Sequence, residues 1–195
     1  DNPKSYLDFL QPRWKGKLVQ GVPATEPTPI YLYVMAKKHK FLDDSYFLNL
    51  AKQDIKWVTS VRDRDLMISR GEAYATLTAG DSTLAPLIKE GAPVRPVEMD
   101  EGIITIAGQT IALLKQAPHP NATKLFINWL FSPEGQRAYH EARATKPLLL
   151  NLPDFTPSHV RVAYKKVLPL DLSNMSEVAR LQREMVLDKL MGLEK

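Results

Sequence analysis

Apolar residues recur along this chain at two spacings, and the change from one to the other predicts strands interleaved with helices. Short runs at Lys17–Gln20, Trp57–Thr59, Tyr74–Thr78 and Val94–Val97 read as strands. Between them, Ile30, Tyr33, Val34 and Lys37 form the inner stripe of a first helix. Phe47, Leu50 and Ala51 line a second helix that starts at Asp43 or Asp44, Arg64–Arg70 is a short helix stopped by Gly71, and Leu84–Glu90 is another. Alternation of this kind argues for an α/β sheet rather than a helical bundle.

The fullest pattern lies in Ala117–Gln136. Pro120 suits a first helical turn, where its missing N–H costs nothing. Ala122, Leu125, Phe126, Trp129 and Leu130 then share one face at helical spacing, which predicts that Trp129 is core. Ser132 ends that helix and caps the next, with Pro133 first and Glu134 beside the positive dipole end. Beyond Gln136 the texture changes. Pro147–Pro157 mixes leucines with turn formers, Val160–Leu168 fits helix or strand, and Ser176–Leu193 reads as one terminal helix. Its stripe is Val178, Leu181, Met185 and Leu190.

The order of these pieces resembles the second lobe of bacterial extracellular solute-binding proteins, nearest the iron(III)/polyamine-like type II group that serves ABC importers. The likeness rests on Tyr6-Leu7-Asp8-Phe9-Leu10 with Trp14-Lys15-Gly16-Lys17-Leu18-Val19, then Phe47-Leu48-Asn49-Leu50-Ala51 and Ser69-Arg70-Gly71-Glu72. It continues through Gly91-Ala92-Pro93-Val94, Glu101-Gly102-Ile103 and the Ala117–Gln136 helix pair. It implies a three-layer α/β lobe over residues 1–146. It further implies a mostly helical segment, 147–195, that would return to a lobe one not present here. The stripe on Ser176–Leu193 would then lack its usual cover, and either folds back or docks on a second copy; the homodimer is the favoured expectation.

Composition narrows the classes. Apolar content of 44% and charged content of 25% are those of a globular protein. No apolar run reaches the ~18 residues of a membrane-spanning helix. Asp1-Asn2-Pro3-Lys4 is not a signal segment, which fits a chain that begins inside a longer parent. Without cysteine there is no disulfide, thiolate ligand or Cys nucleophile. The net charge of +4 is spread out except at Lys37-Lys38-His39-Lys40. That tetrad suits a helix C-terminus and lacks the interleaved aromatics of a nucleic-acid site.

Three strand-to-helix loops are candidate binding loops. In Ala24–Pro29, Thr25 and Thr28 either contact a solute, an anion or carboxylate suiting a helix N-terminus, or cap the helix. The resembled family carries a Ser/Gly-rich loop here, whereas this chain has Glu26 and two prolines. In Thr59–Asp63, Ser60 resembles a ligand-facing position and Arg62 suits a carboxylate or phosphate; alternatively Asp63 caps the helix and pairs with Arg62. In Thr78–Thr83, the residues Thr78, Asp81 and Ser82 either face a ligand beyond a strand end or form a turn and cap. Iron-binding relatives place a tyrosine pair here. Gly80 and Asp81 stand in its place, so neither a ferric site nor any other metal or cofactor is expected.

His39, His119, His140 and His159 are too dispersed for a zinc site, and no G-x-S-x-G, P-loop or GxGxxG motif occurs. The leading expectation is therefore a binding protein, not an enzyme. It would hold a small or anionic solute in a cleft, outside the cytoplasm or in the periplasm, and present it to an ABC permease. An interaction or dimerisation module without solute binding is the alternative. A hydrolase or transferase using Asp81 or Asp63 with His119 is a third reading.

Overall fold

The computed structural model describes residues 2–106, 111–158, 166–170 and 172–193, with backbone alone at Asp81, Ser82, Ile103, Thr105, Ile106, Leu172 and Ser173. It is an α/β protein. Strand β1 (Val19–Gly21) pairs in parallel with β2 (Lys56–Val58), and β3 (Ile103–Ile106) pairs in parallel with β4 (Val167–Leu170). Helices α1 (Thr28–His39), α2 (Asp44–Leu50), α3 (Val61–Ser69) and α4 (Asp81–Lys89) follow the first strands. Helices α5 (Pro120–Leu130) and α6 (Pro133–Arg143) come next, and α7 (Leu172–Arg183) and α8 (Val186–Leu190) close the chain. The candidate segment Val160–Leu168 lies largely outside the described residues; its last two positions, Val167 and Leu168, begin β4.

Two of the expected strands are altered, each for a chemical reason. Next to β1, the Tyr74–Thr78 segment keeps only a parallel bridge from Leu18 to Ala75. Beyond the bridge the Gln20 carboxamide takes over, accepting from the Leu77 amide at 3.2 Å and from Thr76 Oγ1 at 3.0 Å. A side chain has displaced the backbone ladder. Val94–Val97 forms no strand: Pro93 just before it and Pro96 within it have no N–H to give to a ladder. Helix α3 begins earlier than the expected Arg64, since the Ser60 hydroxyl accepts from the Asp63 amide and caps it.

One core joins both ends of the chain. Tyr6, Phe9, Leu18, Ile30, Met35 and Phe47 pack with Leu168, Leu170, Val178, Leu181 and Leu187. Helix α1 is buried on most sides by β1, β3, β4 and α7. The expected dimer is therefore not supported: Val178 and Leu181 are buried against the chain's own core, and Leu190 is partly buried there. The expected single terminal helix is also broken. Met185 adopts φ 51°, a left-handed conformation costly for a side-chain-bearing residue, and the turn directs Leu187 and Asp188 inward.

Trp129, expected in the core, lies on an exposed face. Ser132 and Pro133 cap and open α6 as expected, with the Ser132 hydroxyl accepting from Gly135 N at 3.1 Å. The apolar face of α5 nevertheless stays exposed: Leu125 is 72% accessible, Phe126 51% and Trp129 39%. Periodicity reports that a face is apolar, and no described element covers this one.

Candidate functional site

Because β1, β2 and the Ala75 segment run parallel, their C-terminal ends deliver three loops to the same edge. These are Val22–Pro27, Thr59–Ser60 and Thr78–Gly80, which carry Thr25, Ser60 and Thr78; the other candidates, Thr28, Arg62, Asp81 and Ser82, lie in the first turns of the helices that follow. In α/β sheets that edge is where ligands bind.

A chain of hydrogen bonds ties the edge together. Gln20 Nε2 donates to Thr78 Oγ1 at 2.6 Å, and the Thr78 and Thr28 hydroxyls lie 3.0 Å apart. Thr28 donates to Glu26 Oε1, which also receives Arg64 Nη1. Each hydroxyl owns one proton, so the direction is fixed: Thr28 spends its proton on Glu26, and Thr78 spends its own on Thr28. Arg64 is 1% accessible and Glu26 3%, and Arg64 Nε also donates to Asp65 Oδ1 at 3.0 Å. The buried triad carries one cation and two carboxylates. Glu26 Oε2 has no partner among the described residues. It sits against Gly21, where an added Cβ would overlap the carboxylate.

The loop has little left to offer an anion. Thr25 N and Glu26 N both bond to Val22 O, at 3.0 and 2.8 Å, and Ala24 N donates to Asp188 Oδ1 at 3.2 Å. Pro23, Pro27 and Pro29 have no N–H. Thr25 is exposed and turns its hydroxyl proton to Val22 O at 3.3 Å. Spare capacity at Thr25, Thr28 and Thr78 is thus acceptor capacity. The helix N-terminus expected to attract an anion has Pro27 at its cap, with no capping side chain.

The other candidates separate. Ser60 is half-buried and engaged as a cap, so Asp63 is not the cap. Arg62 is exposed, and no bond joins it to Asp63 among the described residues, so the surface pair is not formed. Asp81 and Ser82 lie in the first turn of α4 after Gly80, but their side chains are outside the described residues. His119 is exposed at the start of α5 and makes no hydrogen bond or ion pair with Asp63 among the described residues. No group of His, Asp or Glu suited to a metal occurs among the described residues.

A model of the family of bacterial extracellular solute-binding proteins matches residues 1–142. The chain belongs to this family. No curated protein matches the sequence. As a member of a solute-binding family the chain has a binding role, and among the described residues no helix is long and apolar enough to cross a membrane. The matched stretch contains all three rim loops and leaves residues 143–195 outside it.

Sequence reasoning missed Glu26 and Arg64 as partners. The available signal was an acidic residue inside the proline-rich loop that follows the Gly21-ended strand, and an arginine near the start of the helix after the next strand. A second polar cluster also went unread. Glu101 accepts from Ser5 Oγ and from Tyr6 N, lashing the chain start to the approach to β3, and Tyr46 donates to Tyr6 O at 3.1 Å. Burial first, then the nearby Glu101 carboxylate, push the Tyr6 hydroxyl up to about 12. Both tyrosines remain protonated at neutral pH and act there as structure.

Proposed function

We propose that the edge formed by Val22–Pro27, Ser60 and Thr78–Ser82 holds a small polar solute and that the protein catalyses no reaction on it. The meeting of the Thr28 and Thr78 hydroxyls, 3.0 Å apart beyond the C-terminal ends of parallel strands, carries this reading. The chain would supply one wall of a two-lobed type II cleft of the iron(III)/polyamine-like kind, in the periplasm or outside the cell. Closure of the second lobe would trap the solute for an ABC permease. Two shallow depressions of the surface lie elsewhere, one lined by Tyr33, Asp44 and Glu184 and one by Leu7, Phe41 and Tyr46. Neither is a closed site at the edge, in keeping with a wall that works against a second surface.

Calorimetry of the chain against ferric citrate, spermidine, phosphate and acetate tests the proposal. Weak saturable binding of one solute, lowered by Thr78→Val, is expected, because one wall buries only part of a ligand. Chemical conversion of the solute, or binding indifferent to Thr78→Val, would contradict it. The exposed Leu125, Phe126 and Trp129 favour a second reading, an interaction module working through α5.

A further inference from the structure

Residues beyond 142 lie outside the family match, yet α7 and α8 reach the rim. Within the loop, the Thr25 and Glu26 amides are both satisfied by a single carbonyl, Val22 O. That leaves the polar groups of the Pro23–Ala24 stretch without partners inside the loop. The C-terminal helices take them. Gln182 Nε2 donates to Pro23 O at 3.3 Å and to Ala24 O at 3.2 Å, while Asp188 Oδ1 accepts from Ala24 N at 3.2 Å.

Asp188 is a poor choice if stability were its only role. It is 1% accessible, and its Oδ2 has no partner among the described residues, so a buried carboxylate is set against one amide. The left-handed turn at Met185 is a further cost. Both costs are incurred where the chain re-aims α8 at the loop.

We propose that Asp188 and Gln182 are positioning residues that fix the conformation of Val22–Pro27 and so the placement of Thr25 at the rim; the functional part of this inference rests on the rim being the solute site. The loop is gripped at two ends. At Pro23–Ala24 the C-terminal helices hold it, and at Glu26–Thr28 it is held by Arg64 and Thr78. Thr25 stands exposed between the two grips.

The test is amide hydrogen exchange, resolved by residue, on the whole chain as wild type, Asp188→Ala, Asp188→Asn and Gln182→Ala. In Asp188→Ala the Ala24 amide is expected to exchange about tenfold faster, the effect of losing one hydrogen bond. Amides in the middle of α3 and α6 should keep their wild-type rates. Asp188→Asn retains an acceptor and should restore the Ala24 rate, and Gln182→Ala should speed Ala24 and Thr25 by a smaller factor. No solute enters the measurement, so failure of the grip and failure of solute binding are told apart. Equal Ala24 rates in wild type and Asp188→Ala would overturn the proposal. An increase spread equally over α3 and α6 and not rescued by Asn would also overturn it, because that is the mark of a core merely loosened.

Discussion

Helix α1 and helix α5 have similar lengths and opposite fates. Helix α5 has the cleaner apolar stripe, yet Leu125 and Phe126 face water. Helix α1 has almost no stripe, since Ile30, Leu32, Val34 and Met35 spread round it, and it is the most enclosed helix of the fold. The difference lies in what surrounds them. A helix walled by β1, β3, β4 and α7 needs apolar residues on several sides, and periodicity vanishes. A helix that packs chiefly on one neighbour, as α5 does on α6 among the described residues, keeps its period whether or not anything lies on the stripe. A strong helical period therefore marks amphipathicity, and burial has to be established separately.

The sharpest way to break this contrast is to attack the polar interior that locks the enclosed half. Arg64→Leu leaves Glu26 and Asp65 buried without their cation and is expected to cost about 3–5 kcal/mol in urea unfolding. Adding Glu26→Leu to that variant should recover part of the loss. A single-variant cost below about 1 kcal/mol would mean that the pair does not hold the rim.

Aromatic truncations compare the two halves directly. Phe9, 1% accessible, should lose about 3–5 kcal/mol on replacement by Ala. Trp129→Ala should lose less, about 1–3 kcal/mol, since 39% of that residue is already in water. Equal losses would show that something covers α5 in solution. Smaller still is the effect of Ser132→Ala, which removes the α6 cap and should lower stability by about 1 kcal/mol at most.

The finest probe is His140, near the C-terminal end of α6. Burial, and then the neighbouring Arg143, hold its imidazole below the ordinary value. A depressed folded-state value means the folded chain prefers neutral imidazole. Its contribution is present above the ordinary value of about 6.5 and is lost as pH falls through the folded one. An NMR titration should place the His140 midpoint below that of an unfolded peptide. A midpoint at or above the peptide value would remove the basis for this pH dependence.

Local chemistry was the legible part of the chain. Ser132, Pro133 and Pro120 mark their helix starts because capping is decided by neighbours in sequence. The placing of the candidate loops at strand ends was readable too, since strand and helix alternate visibly. Contacts across long separations were not readable. Gln20 replaces a strand ladder 57 residues away, and Asp188 meets Ala24 across 164 residues, with no periodic trace of either. The break at Met185 was hidden for the same reason: the stripe on Ser176–Leu193 runs through it, and only the three-dimensional target of Leu187 and Asp188 accounts for it.

Gly21 carries a consequence of another kind. The Glu26 carboxylate occupies the space that any side chain at position 21 would need, so a single added methyl would evict it. Eviction would strand Arg64 and release Thr28 from its acceptor, and Thr28 is the link to Thr78. Positions 21, 26 and 64 are thus expected to behave as one genetic unit. In a library randomised at all three, survivors should keep the whole Gly–Glu–Arg set or replace it together, and intermediate combinations should be rare.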